Sequence, residues 1–130
     1  MPILPSLVTG LALLFYIATI FIAGQARGRY QIKAPATTGH PAFERAYRVQ
    51  QNTIEQLVVF LPALWLFSLF VSPLWGAVIG VVWIIGRILY AASYLRDAEK
   101  RGPGMMITMI SGAILLVGGL VGIVISLAGA

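Results

Sequence analysis

The stretch 41-PAFERAYRVQQNTIEQ-56 runs without a linker into 57-LVVFLPALWLFSLF-70. Four formal charges and several amides occupy the first half; the second half carries none. At 1.5 Å per residue, one helix holding both halves is longer than a bilayer core of ~30 Å. Its first turns should therefore project beyond the hydrocarbon, and its later polar groups need protein or water beside them.

The rest of the chain settles the class. Of 130 residues, 59% are hydrophobic and only 10% charged, and the mean hydropathy is +0.92. A soluble domain carries about a quarter charged residues. The composition predicts an integral, multi-pass membrane protein, all-α, with residues 1–130 forming a single four-span domain. A span needs roughly 20 apolar residues, so four spans leave little room for anything else.

Other classes are excluded by what is missing. With no cysteine, there is no disulfide, cysteine nucleophile or thiolate metal site; any thiol chemistry needs a thiol carried in by a ligand. His40 is the single histidine and has no clustered carboxylates, so it reads as a loop residue and no metal is expected. The net charge of +5 points to cytoplasmic loops and anionic membrane lipids rather than to nucleic acid. The start, MPILPSLV, lacks a basic n-region and reads as a retained helix, not a signal peptide.

The spans are expected at about Leu4–Ala26, Pro41–Val71, Leu74–Leu95 and Met105–Leu127. Pro62 should kink the second. Segments 24-GQARGRYQIKAPATTGH-40 and 96-RDAEKRGPG-104 are the long connections, and 71-VSPLW-75 is a tight turn. The two long connections and their flanks hold every charge except Arg87 and Glu55. They lie on one side, which the positive-inside rule makes cytoplasmic. No internal repeat is evident, so an inverted-repeat transporter is not supported.

Residues three and four apart share a helix face. Arg48, Asn52 and Glu55 follow i, i+4, i+7, flanked by Glu44 and Gln51. On the third span, Arg87, Tyr90 and Tyr94 follow i, i+3, i+7. An arginine at membrane depth costs about 2.5–3.5 kcal/mol on insertion scales unless paired. Glu55 is the only acid at comparable depth, so an Arg87–Glu55 pair is expected. The two stripes would line one polar cleft open to the charged side, with Arg27, Arg29, Arg96, Lys100 and Arg101 at its mouth. Such a site suits a small, mostly anionic ligand: arginines grip carboxylates through bidentate forks, and Glu55 can receive an ammonium. The structural alternative is a buried pair fixing helix register, with the tyrosines as interfacial belt residues.

At these residues the sequence resembles a known family. The run 39-GHPAFERAYRVQQN-52 is similar to the signature of the membrane-associated proteins in eicosanoid and glutathione metabolism, the MAPEG superfamily, in the branch of leukotriene C synthase and the microsomal glutathione transferases. The matching positions are Gly39, Phe43, Glu44, Arg45, Ala46, Tyr47, Gln50 and Asn52. A second run, 86-GRILYAASYLRDAEKR-101, resembles the family's Arg, Tyr, Tyr and terminal Arg pattern. The likeness covers about Ala26 to Arg101. The departures are Ala46 where the signature often has Val, Val49 for Ala, Thr53 for Cys, Gln56 where the eicosanoid enzymes carry Tyr, and Gly28 for one of two paired arginines. Leukotriene specificity is therefore not expected.

The resemblance implies a four-helix bundle assembled as a homotrimer, with ligand sites between subunits. It implies glutathione as co-substrate, contacted by Arg48, Asn52, Glu55, Tyr90 and Tyr94. Gln50 and Arg27 would help hold it, and Arg87 would support the site. Arg101, from the neighbouring subunit, would be the catalytic residue beside the thiol. A free thiol has a pKa near ~8.5, so only a few per cent is thiolate at pH 7. A fixed guanidinium favours the anion, and a shift of about two units, roughly 2.7 kcal/mol, makes it dominant. The second substrate would be a lipophilic electrophile, or a lipid hydroperoxide in a peroxidase reaction. Two other classes compete: a non-catalytic lipid-binding or partner-presenting protein of the same build, and a small proton-coupled exporter. The exporter lacks an acid in the first span and is disfavoured.

Overall fold

The computed structural model describes residues 2–130, which form four long helices and, among the described residues, no strand. α1 spans Ile3–Arg29, α2 Pro41–Phe70, α3 Pro73–Arg96 and α4 Gly102–Ala128, with a 3₁₀ turn over Ala98–Arg101 leading into α4. All four helices are long and apolar enough to cross a membrane. The helices match the expected spans, except that α1 ends three residues late, at Arg29, and α4 starts three residues early, at Gly102, before Pro103. Pro103 explains the early start: proline is tolerated in a first helical turn, where its missing N–H has no partner to lose.

Local chemistry sets the boundaries. Pro41 and Pro73 open α2 and α3. His40 Nδ1 accepts from Ala42 N at 3.1 Å and Ser72 Oγ from Trp75 N at 3.2 Å, so each cap satisfies a donor of the first turn. Pro62 lies within α2, which remains one continuous helix over Pro41–Phe70. The proline leaves the Val58 carbonyl without its usual donor.

The core is apolar and lies between the helices. Val8 and Ala12 of α1 meet Phe60, Leu64 and Phe67 of α2, Trp83 of α3 and Leu115 of α4. Phe60 and Trp83 stack with centroids 3.9 Å apart. Trp65 Nε1 donates to Thr9 Oγ1 at 3.1 Å, tying α2 to α1. The outer faces are apolar too: Phe21, Val58 and Val124 are each more than 60% exposed, as lipid-facing side chains would be.

Glycines in α4 let backbones meet. Side chains at Gly119 and Gly122 would run into Leu66–Phe67 and Phe70 of α2, so these glycines serve packing within the chain. Gly104 lies against the Tyr90 backbone, whereas Gly112 faces open space. Gly104→Ala is therefore expected to destabilise the α3–α4 contact by roughly 1–3 kcal/mol. Gly112→Ala should leave stability unchanged or slightly raised; thermal unfolding of both in detergent checks the contrast.

Both charged connections lie at one end of the bundle. Arg45 Nε, near the start of α2, donates to Leu95 O near the end of α3 at 3.1 Å. Gly104, at the start of α4, packs beside Tyr90. The candidate site hangs from this end.

Candidate functional site: a buried arginine and an outward polar face

Arg87 is completely buried. Its Nη1 donates to Asn52 Oδ1 at 2.8 Å, and its Nη2 to Thr53 Oγ1 at 2.8 Å. The Thr53 hydroxyl in turn donates to Val49 O at 2.7 Å, one turn back. The guanidinium carbon sits 4.4 Å from the Tyr90 ring centroid, within cation–π range. Arg87 Nε is left without a partner. The cation is thus held by neutral oxygens and a ring face.

The expected Arg87–Glu55 pair is not formed. Glu55 Oε1 accepts from Arg48 Nη1 at 3.0 Å, and these two side chains are 50% and 55% exposed. The reason is helical geometry. Arg48 and Glu55 are seven residues apart, about two turns, and reach each other along one face of α2. Asn52 and Thr53 project toward α3 and meet Arg87 first. Thr53 is the site residue that sequence reasoning did not single out. A threonine beside Asn52 on the inward face of a membrane helix was the available signal.

The geometry also orients Asn52. Because Arg87 can only donate, the amide oxygen must face it, and Nδ2 is turned away as a donor. Among the described residues, the unpaired polar side-chain atoms sealed from the surface are Ser68 Oγ and Arg87 Nε. Asn52 Nδ2 and Tyr90 Oη have no partner among the described residues either; both side chains are buried, Asn52 to 7% and Tyr90 to 1% exposure, and only their polar tips border the surface. Tyr94 packs on Tyr90 at 5.4 Å and is half-buried. The arrangement is therefore not a cleft inside the bundle. It is a sealed clamp (Arg87, Thr53) behind an exposed Arg48–Glu55 pair, with the buried Asn52 amide and Tyr90 ring between them. Together they offer donors for carboxylates or carbonyls and one carboxylate for a cation.

The remaining candidates lie apart from this group. Gln50 is two residues from both Arg48 and Asn52, which turns it some 160–200° around α2 from them. Arg27 Nη1 donates to Ala36 O at 2.8 Å and Ile32 O at 3.4 Å, and its guanidinium covers Phe43 at 4.7 Å; it braces the α1–α2 connection. Arg101 is exposed on the 3₁₀ turn, with Nη1 donating to Ala98 O at 2.7 Å. Its other donors have no acceptor among the described residues.

The family model described as the MAPEG family matches residues 5–121. The chain belongs to the MAPEG family. With its four long apolar helices, this MAPEG chain is an integral multi-pass membrane protein. It is 48% identical over 119 residues to an uncharacterized protein of Synechocystis sp., covering 92% of the chain and 87% of that protein. It is 37% identical over 100 residues to human microsomal glutathione S-transferase 2, covering 77% and 68% of the two chains. Bovine leukotriene C4 synthase is 38% identical over 76 residues, covering 58% of the MAPEG chain and 51% of the synthase, about half of its length.

Proposed function

We propose that this MAPEG protein is a membrane-bound glutathione S-transferase that works as a homotrimer, with its charged end in the cytoplasm. The observation that carries the reading is the exposed Arg48–Glu55 pair beside Asn52 and Tyr90, in a chain related to microsomal glutathione S-transferase 2. Glu55 lies about 21 Å along α2 from Pro41 and about 22 Å from Phe70. A half-exposed charge pair that far from the far end of the helix cannot face hydrocarbon. A second copy of the chain, closing over a water-accessible pocket, supplies the cover. This supports subunit assembly and a site that neighbouring subunits complete.

In that site Arg48 pairs with a glutathione carboxylate, and Glu55, exchanging part of its contact with Arg48, receives the ammonium. Asn52 Nδ2 and Tyr90 Oη donate to carbonyl or carboxylate oxygens, and Tyr94 closes the wall. Gln50 and Arg27 contribute from a neighbouring subunit, consistent with their distance from the set within one chain. Arg101, also from a neighbour, stabilises the thiolate. The thiol proton leaves to water; the sulfur then attacks the electrophilic carbon, forming a C–S bond as the leaving group departs with its electron pair. The electrophile is apolar and enters from the bilayer. A lipid hydroperoxide is a second acceptor class for the same thiolate.

Conjugation of glutathione to a chlorinated nitrobenzene by the purified protein tests the reading, with chloride release as the product signal. Absence of turnover, together with tight lipid binding and no glutathione affinity, would select a non-catalytic lipid-binding role instead. Glu55→Gln is expected to raise the KM for glutathione about tenfold or more, since a partner of the ligand's ammonium is lost while Arg48 remains. The kcat at saturation should change less. An unchanged KM would remove Glu55 from the site.

A further inference from the structure

A second polar feature lies on the other side of α2. A groove of about 240 Å³ opens between the end of α1, the start of α2 and the end of α3. Arg29, Gln25 and Tyr30 of the α1 end line it, with Ala42, Ala46 and Leu95. Ala46 and Glu55 are nine residues apart, about two and a half turns, so they point to opposite faces of the helix. The groove is thus separate from the Arg48–Glu55 face.

We propose that this groove seats the phosphate headgroup of an anionic phospholipid. Its chemistry is one-sided. No acidic residue lines it, and Arg29 makes no ion pair or hydrogen bond among the described residues, only a contact over the Tyr30 ring at 5.6 Å. The carbonyl of Leu95, a lining residue, already accepts from Arg45 Nε at 3.1 Å. A second guanidinium therefore stands beside the groove, whose side-chain acceptors are only the neutral oxygens of Gln25 and Tyr30.

Depth favours a lipid over a soluble anion. Arg29 is the last residue of α1, at the bundle end that carries the charged connections, which is headgroup level. Ile22 and Ala26 continue the groove wall along α1 toward the hydrocarbon, where the glycerol and first methylenes would lie. Basic pockets between spanning helices at this level are suited to lipid headgroups. Of the neighbouring cations of α1 and the 3₁₀ turn, Arg27 is bound to loop carbonyls and Arg101 to Ala98 O, and neither lines the groove. The proposal does not depend on the glutathione reading.

The test uses the full-length protein in phosphatidylcholine nanodiscs doped with a minor fraction of phosphatidylglycerol, with co-retained lipid counted by native mass spectrometry. The wild type should retain phosphatidylglycerol well above its share of the bilayer. Arg29→Gln should cut that enrichment about fivefold, and Ala26→Leu, which narrows the groove but keeps the charge, should cut it too. Arg96→Gln, at the same end but outside the groove, should not. Equal losses in Arg29→Gln and Arg96→Gln would overturn the site in favour of diffuse surface charge. Displacement of the lipid by excess inorganic phosphate would overturn it in favour of a soluble anion. Glutathione titration of Arg29→Gln should match the wild type; joint loss of both ligands would place Arg29 in the other site and overturn the separation.

Discussion

Arg101→Ala is expected to slow conjugation about 20- to 100-fold at pH 7, with a much smaller change in glutathione affinity. Without a guanidinium beside it, the bound thiol returns toward its ordinary pKa of ~8.5, and its ionised share at pH 7 falls from a majority to a few per cent. Loss of one fixed donor to a reacting anion costs about a hundredfold in kcat where measured. The pH profile separates this role from a structural one. The variant's rate should climb with pH through the thiol's own ionisation, because added hydroxide does what Arg101 did. The wild type should already be on its plateau. Arg101→Lys keeps a positive charge and should recover part of the rate. Equal losses in kcat and affinity, with no change in pH profile, would remove the assignment.

The largest effect on the fold is expected at Arg87. Arg87→Ala empties a fully buried side-chain volume and leaves Asn52 Oδ1 without its donor at 2.8 Å. A loss of roughly 2–5 kcal/mol is expected from the void alone, read as a lowered thermal midpoint in detergent. Arg87→Met refills the volume without the charge. It still leaves Asn52 Oδ1 without its donor, a cost of about 1–3 kcal/mol, so this variant should unfold between Arg87→Ala and the wild type. Its glutathione affinity should also fall, because nothing then dictates which end of the Asn52 amide faces out. An Arg87→Met protein that binds glutathione as the wild type does would show that the clamp serves the fold only.

The architecture was legible because it rests on short-range features. Uninterrupted apolar runs, prolines at first turns and loops rich in Gly, Pro and Thr located the four helices within a few residues. The end of α1 and the start of α4 each lie three residues beyond the expected spans; at the second, 102-GPG-104 looks like a loop, but proline tolerance in a first turn and the close approach of Gly104 to Tyr90 extend the helix there. The polar stripe of α2 was legible too, since Arg48, Asn52 and Glu55 follow helical spacing.

The partner of Arg87 was not legible. Charge counting paired it with the acid at similar depth, but two turns of one helix put Arg48 within 3.0 Å of that acid. Across the helix boundary, rotation of α2 against α3 decided which side chains met, and it brought Asn52 and Thr53 to the guanidinium. No spacing rule within one helix contains that angle. Thr53 stood at a position where the family often has cysteine, so a motif comparison marked it as a departure and not as a ligand of Arg87. Arg27 and Arg29 illustrate the same limit. Two residues apart, they read as equivalent cations at one mouth, yet one braces the α1–α2 connection and the other lines a groove on a different face.

The central claim is that the Arg48–Asn52–Glu55–Tyr90 face binds glutathione and that the assembled site ionises it. Titrating the purified protein with glutathione while following thiolate absorbance in the ultraviolet tests this most directly. A saturable rise at neutral pH, absent in Arg101→Ala and shifted to higher glutathione in Glu55→Gln, is the predicted result. Binding without a thiolate signal, or no binding in a folded protein, would contradict it.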